Sequence, residues 1–190
     1  MNHLKDKFLL AVINNDIFNM DIIHSLGFPI NYDNDIALIT ASSYGKLISV
    51  MWLLNHIDSN VDINAQDGRP LISATKMKHY NVIFFLLEKG ANINIQGCSS
   101  LIIACLNGYS DIVKLLLEYN VNYKIDNYYP LVIAATFGRE SIVKMLLDAG
   151  SDPYTRNFEA INNANNNGHY NTVKILITHE LIKKVNKTFL

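Results

Sequence analysis

Apolar residues in this chain fall into short helical stretches separated by polar turns, and the arrangement returns at a fixed interval. Between Leu101 and Asn107, the side chains of Leu101, Ala104 and Cys105 share one helical face. Gly108 then ends the helix, because glycine enters the left-handed conformation after a helix C-terminus at little cost. Asp111 to Tyr119 gives a second helix, with Ile112, Val113, Leu116 and Leu117 at helical spacing. The small Ala104 lets the two helices approach closely.

The same block recurs along the chain. Leu71 with Ala74, Leu101 with Ala104, Leu131 with Ala134 and Ile161 with Ala164 are each 30 residues apart, and Leu38 with Ala41 and Phe8 with Ala11 extend the series backwards. The one step of 33 contains the extra residues of His56 to Val61. Four residues after the alanine stands Gly45, Gly108, Gly138 or Gly168, with Asn15 and Lys78 as departures; sixteen after it stand Gly27, Gly90 and Gly150. Leu53-Leu54, Leu86-Leu87, Leu116-Leu117, Leu146-Leu147 and Leu176-Ile177 keep the same phase. Six blocks result, near 6–35, 36–68, 69–98, 99–128, 129–158 and 159–190. Neither helix of a block can bury its face alone, so neighbouring blocks are expected to stack into one core, as a single all-α domain over 1–190.

The residues Pro70-Leu71-Ile72-Ser73-Ala74, Ile112-Val113-Lys114-Leu115-Leu116-Leu117 and Gly90-Ala91-Asn92-Ile93-Asn94 resemble the ankyrin repeat pattern Thr-Pro-Leu-His-x-Ala, Ile-Val-x-x-Leu-Leu and Gly-Ala-Asp-x-Asn. The resemblance covers nearly the whole chain and implies an ankyrin-type helix-turn-helix solenoid. Two departures matter. Most blocks are shorter than the usual period of about 33, and the missing residues fall between Asn94 and Leu101, where the family carries its β-hairpin finger, so shortened fingers are expected. The family's histidine is replaced by Ile39, Ile72, Ile102, Val132 and Asn162, which requires other hydrogen bonds for the loops. The first and last blocks are expected to act as polar caps; the last carries Asn162, Asn163, Asn165, Asn166 and Asn167, followed by Lys183, Lys184 and Lys187.

Composition narrows the classes. An apolar fraction of 49% with 17% charged residues excludes a disordered chain. A net charge of −1 argues against a nucleic-acid partner. The longest apolar runs, such as Val82 to Leu87, are six residues, too short for a membrane span of about 20. The N-terminal segment has no secretory cleavage pattern, and two cysteines make no disulfide framework. An intracellular chain, cytoplasmic or in a host cytoplasm and not secreted, is expected. Lysine outnumbers arginine 13 to 3 and Asn and Ile are abundant, a bias toward AT-rich codons. With the short blocks, this bias resembles ankyrin arrays of giant DNA viruses of amoebae.

No catalytic constellation is visible. His3, His24, His56, His79, His169 and His179 are scattered, and a bland surface or turn role is expected for each. Cys105 belongs to an inward helical face, where a thiol acts as a small apolar group; Cys98 falls in a loop and is expected to be open to solvent. Neither a metal ligand cluster nor a phosphate-binding glycine motif is present, so no enzyme activity, metal or cofactor is expected. Asn31, Asn64 and Asn94 match the column at which the family is hydroxylated, against the simpler expectation of asparagines bonding their own turns.

The resemblance implies partner binding on the concave side by finger tips and the exposed face of the first helix. The corresponding residues are Tyr44, Lys76, Met77, Leu106, Asn107, Thr136 and Phe137 before the helix-helix turn, with Tyr128 and Tyr129 in the loops. The loop column as a whole reads Asp35, Gly68, Cys98, Tyr128 and Phe158. Exposed aromatics at spaced positions are frequent interface anchors. A second apolar patch, Met51, Trp52, Phe84 and Phe85, includes the column that holds the solvated Lys114, Lys144 and Lys174 in later blocks; either the His56 to Val61 insertion folds over it or it serves self-association. Lys114 with Glu118 and Lys144 with Asp148 are read as weak surface pairs. The expected function is a non-catalytic module binding a protein partner, a host protein if the source is viral, and otherwise monomeric. The alternative is an inhibitor or substrate-recruiting adaptor of an enzyme such as a ubiquitin ligase.

Overall fold

A computed structural model describes residues 2–57 and 60–188, with side chains described as far as His179. Twelve helices and no strand are present among the described residues. They form two compact units, one ending at Gln96 and one beginning at Gly97.

The first unit contains three helix pairs: α1 (Asn2–Asn14) with α2 (Ile17–Ser25), α3 (Tyr32–Ser43) with α4 (Leu47–Asn55), and α5 (Ala65–Lys76) with α6 (Tyr80–Glu88). First helices pack on first helices of the next pair, α1 on α3 and α3 on α5, and second helices on second, α2 on α4 and α4 on α6. The buried side chains between them include Phe8, Met20, Leu38, Leu53, Ile83 and Leu86. The second unit repeats the scheme with α7 (Ile95–Asn107, opening just before the boundary) and α8 (Ser110–Glu118), α9 (Ile125–Thr136) and α10 (Glu140–Asp148), and α11 (Thr155–Asn166) and α12 (Tyr170–Thr188). Its core includes Leu101, Ile112, Leu116, Leu131, Ile142 and Leu146. In α8 Leu115 is also buried, whereas Leu117, expected inside, is only half-buried.

The turn inside each pair is one device used six times. In every block the residue five after the conserved alanine donates its backbone N–H to that alanine's carbonyl: Asp16 to Ala11, Lys46 to Ala41, His79 to Ala74, Tyr109 to Ala104, Arg139 to Ala134 and His169 to Ala164. Such a closure needs a left-handed residue just before the donor, and the column that holds it is at positive φ throughout. Asn15 (φ 55) and Lys78 (φ 58) adopt it as Gly138 (φ 61) does, so the two sequence departures are not structural ones.

The segment between blocks differs from the expected shortened hairpin. In its place stands a single left-handed turn of three residues leading into the first helix: Asp33-Asn34-Asp35, Gln66-Asp67-Gly68, Gln96-Gly97-Cys98, Asp126-Asn127-Tyr128 and Arg156-Asn157-Phe158, all at positive φ. Three left-handed residues stand where the hairpin was expected, in the block with the step of 33 as in the blocks with steps of 30. The conformation costs an ordinary L-residue roughly 1–2 kcal/mol, least for Asn, Asp and Gly. Every middle position is one of these three: Asn34, Asp67, Gly97, Asn127 and Asn157.

Side-chain hydrogen bonds in the segments between blocks recur in one column. Asp62, Asn92, Asn122 and Asp152 each accept, through the side-chain oxygen, the backbone N–H two residues on, at 2.8, 3.0, 3.2 and 2.8 Å. These are Asx turns, one near the end of each of the second to fifth blocks. Asn64 differs from the expectation that it bonds its own turn: its Oδ1 accepts the N–H of Asn92 in the next block at 2.8 Å.

Candidate partner-binding surface

The partner column before the helix-helix turn is held by backbone geometry and points its side chains outward. In the first unit Tyr44 and Met77 are the C-terminal caps of α3 and α5, with N–H groups on Thr40 O (3.0 Å) and Ser73 O (3.1 Å), and each side chain is 57% exposed. Lys76 beside Met77 is exposed. In the second unit Phe137 caps α9 and is 44% exposed; Leu106 and Asn107 are exposed at the end of α7. Asn107 folds its amide onto Ile103 O at 2.9 Å.

Three residues of the same expected set turn inward. Thr136 is half-buried, donating to Val132 O at 2.7 Å and accepting from Asn163 Nδ2 at 3.1 Å. Tyr128 and Tyr129 are half-buried too. Tyr128 is the last residue of a left-handed turn and lies 6.4 Å from the Tyr123 ring. The Arg156 guanidinium sits 5.3 Å over Tyr129 while pairing with Asp126 and Glu159.

The loop column is where the sequence reading is corrected most. Of the residues that close the left-handed turns, Asp35, Gly68 and Cys98 are buried, Tyr128 is half-buried and Phe158 is 52% exposed. Cys98 has no exposed surface and its thiol contacts Asn122 O at 3.6 Å. Burial pushes its thiol pKa up, as it does for Cys105, which leaves no ready thiolate at either site. Asp35 is a buried carboxylate whose Oδ2 accepts the N–H of Asp62 at 3.1 Å and whose Oδ1 has no partner. Desolvation, with a smaller contribution from the Asp62 charge, raises its pKa above the usual carboxylate range.

The second patch lies in the first unit. Met51 and Phe84 are 41% and 44% exposed on α4 and α6, whereas Trp52 and Phe85 are half-buried. Trp52 donates Nε1–H to Asp21 Oδ1 at 2.9 Å and packs on His56, 4.7 Å away. Thus the first residue of the insertion covers Trp52, while Ile57 is 93% exposed; Asp58 and Ser59 lie outside the described residues. On the lysine stripe, Lys114 approaches Glu118 at 4.0 Å, but Asp148 pairs with His179 Nε2 at 2.8 Å rather than with Lys144. The side chains of Lys183, Lys184 and Lys187 are beyond those described.

The histidines are placed by packing. His79 Nε2 reaches back to Ser43 O, 3.0 Å away in the preceding block, and its ring lies against Gly45, where a Cβ would come within 2.5 Å of Nδ1. His169 lies against Gly138 in the same way, at 2.6 Å, and Arg139 occupies the matching place over Gly108, donating to Leu106 O. His24 pairs its Nδ1 with Phe28 O at 3.0 Å. Among the described residues no group of three or more His, Cys, Asp or Glu side chains could hold a metal ion, and no helix is long and apolar enough to cross a membrane.

Stacked helix-turn-helix pairs closed by a recurring left-handed turn, with variable side chains at the turn, define a helical repeat protein. The particular family is the ankyrin repeats: the family model described as ankyrin repeats (3 copies) matches residues 8–97 and 96–157, and the chain belongs to that family. No curated protein matches the chain. Ankyrin repeats are in general protein-protein interaction modules and typically non-catalytic.

Proposed function

We propose that the chain is a binding module that holds a protein partner through the outward turn column, with Tyr44 and Met77 as anchors on the first unit and Leu106 and Phe137 on the second. The observation that carries this reading is the exposure of Tyr44, Met77 and Phe137 at one column, each fixed by a backbone hydrogen bond that makes no use of its side chain. The backbone that carries these side chains is already ordered, so docking has to order the side chains alone. Service as an inhibitor or as a recruiting adaptor would use the same surface and differs only in the partner held.

The test is retention of proteins from source or host-cell lysate on the immobilised full chain, against a Tyr44→Ala, Met77→Ala, Leu106→Ala, Phe137→Ala variant with an unchanged circular dichroism spectrum. Loss of a retained protein from this variant, with its retention on a Met51→Ala, Phe84→Ala variant, supports the reading. Equal retention by all three chains overturns it.

A further inference from the structure

The turn edge of the first unit is cationic as well as apolar. The His79 ring lies against Gly45 and its Nε2 reaches Ser43 O, which ties the turn of the third block to that of the second. Tyr44, Lys46, Lys76, Met77, Lys78 and Tyr80 therefore lie along one edge, with Tyr80 40% exposed beside the more open Tyr44 and Met77. Lys76 and Lys78 are exposed and Lys46 is half-buried. From Ile36 to Ile57, Lys46 is the one Lys, Arg, Asp or Glu, and from Pro70 to Leu87, Lys76 and Lys78 are the only two. Among the described residues of α3 to α6 and their connections the carboxylates lie elsewhere: Asp33, Asp35, Asp62 and Asp67 between blocks, at the opposite ends of α3 and α5, and Glu88 at the far end of α6. On the same edge of the first block, the Asp16 carboxylate is already held by the backbone N–H and side-chain amide of Asn19.

Resting on the turn column as the partner surface, we propose that the partner docks on this edge through an acidic segment that carries bulky apolar residues. A partner that covers Tyr44 and Met77 also covers the stems of the flanking lysines and draws their ammonium groups out of water. An ammonium desolvated without an opposite charge opposes docking. Carboxylates set among the apolar residues remove that penalty and steer the encounter, whereas a basic segment meets like charge at three points. The two turns end neighbouring packed helices, α3 and α5, whose axes stand about 10 Å apart. Three residues of extended chain span about that distance. The segment that fits has two bulky apolar residues three apart, with Asp or Glu between and around them.

The probe is a fluorescein-labelled peptide, Gly-Glu-Glu-Leu-Glu-Glu-Phe-Glu-Glu-Gly, titrated with the full chain by fluorescence anisotropy. Its three relatives carry Gln for every Glu, Lys for every Glu, or Glu for both Leu and Phe. The parent peptide is expected to bind roughly tenfold or more tighter than any relative, and more weakly as salt rises from about 50 to about 500 mM. A Lys46→Glu, Lys76→Glu, Lys78→Glu variant is expected to lose roughly tenfold or more in affinity, the milder Lys76→Gln, Lys78→Gln variant less, and a Lys114→Glu, Lys144→Glu variant nothing. No binding of the acidic peptide, equal binding of the Gln peptide or the all-Glu peptide, tighter binding of a thymidine oligonucleotide, or unchanged affinity in both variants of the turn lysines overturns the proposal. The lysate experiment separates that failure from failure of the turn column itself. Should the turn-lysine variants keep a protein that the Tyr44→Ala, Met77→Ala, Leu106→Ala, Phe137→Ala variant loses, the column is the partner surface and its partner is not acidic; should every variant keep it, the column is not the surface.

Discussion

Asn127 tests the left-handed turn that replaces the hairpin. Its backbone sits at φ 51, ψ 55 between Asp126 and Tyr128, and its side chain is exposed. A β-branched residue at such an angle brings Cβ against the carbonyl oxygen and costs about 1–2 kcal/mol. Asparagine bears the conformation more easily, so most of that figure is the expected loss for Asn127→Val. Glycine removes the steric cost but carries about 0.5–1 kcal/mol of extra chain entropy, so Asn127→Gly should stay within about 0.5 kcal/mol of the parent. For a chain of this length each kcal/mol moves Tm by roughly 2–4 °C. The valine variant is therefore expected about 2–8 °C below the parent, with glycine close to it, in parallel thermal and urea denaturation followed by circular dichroism. At an extended hairpin position the order reverses, because valine favours strands and glycine weakens them. A valine variant as stable as the glycine variant would refute the left-handed assignment.

Three further outcomes follow from the packing. Gly138→Ala should cost about 1–3 kcal/mol, more than Gly168→Ala: both glycines are at positive φ, but only the first Cβ would meet a side chain, His169, at 2.6 Å, and urea midpoints compare them. Cys98 and Cys105 should react with an aromatic disulfide reagent in the native protein far more slowly than in denaturant, and a free-thiol rate at Cys98 would show that its turn is open. Asp35→Asn should unfold at a higher temperature than the parent at pH 7, with the gap closing as the pH falls below about 4. The sign follows from the raised native pKa: the native state holds that proton more tightly than the unfolded chain, so its contribution is fully present in acid and lost as pH rises through the native value. An unchanged gap at both pH values would mean that the Asp35 carboxyl is solvated.

The helix pairs, their period and the outward turn residues were legible because each rests on one repeated local rule: apolar spacing, a small alanine, a left-handed closing residue. What was missed shares a cause. The family's hairpin puts the loop column at finger tips, whereas its fate in this chain depends on backbone handedness, which apolar periodicity does not report. A signal was available in Asn34, Asp67, Gly97, Asn127 and Asn157, all residues that tolerate positive φ and all four before the block's leading apolar residue. Cys98 and Tyr128 each close such a turn, the first buried and the second half-buried, whereas Phe158 closes one and stays 52% exposed.

The glycine column shows how one block constrains the next. Two features meet at Gly45 and Gly138, the left-handed closure of their own block and the ring of His79 or His169 lying where a Cβ would be. Lys78 shows that the closure alone does not demand glycine, since it holds φ 58 with a full side chain. Contact from the following block is therefore what excludes a side chain at Gly45 and Gly138, and the residue that makes the contact also reaches the end of the preceding first helix, as His79 does at Ser43 O and Arg139 at Leu106 O. Those carbonyls belong to the residues next to Tyr44 and Asn107. Replacing His79 with alanine should thus free the end of α3 and increase amide exchange at Tyr44 and Gly45 without disturbing α6, linking the stacking residue of one block to the order of the outward turn column in the block before it.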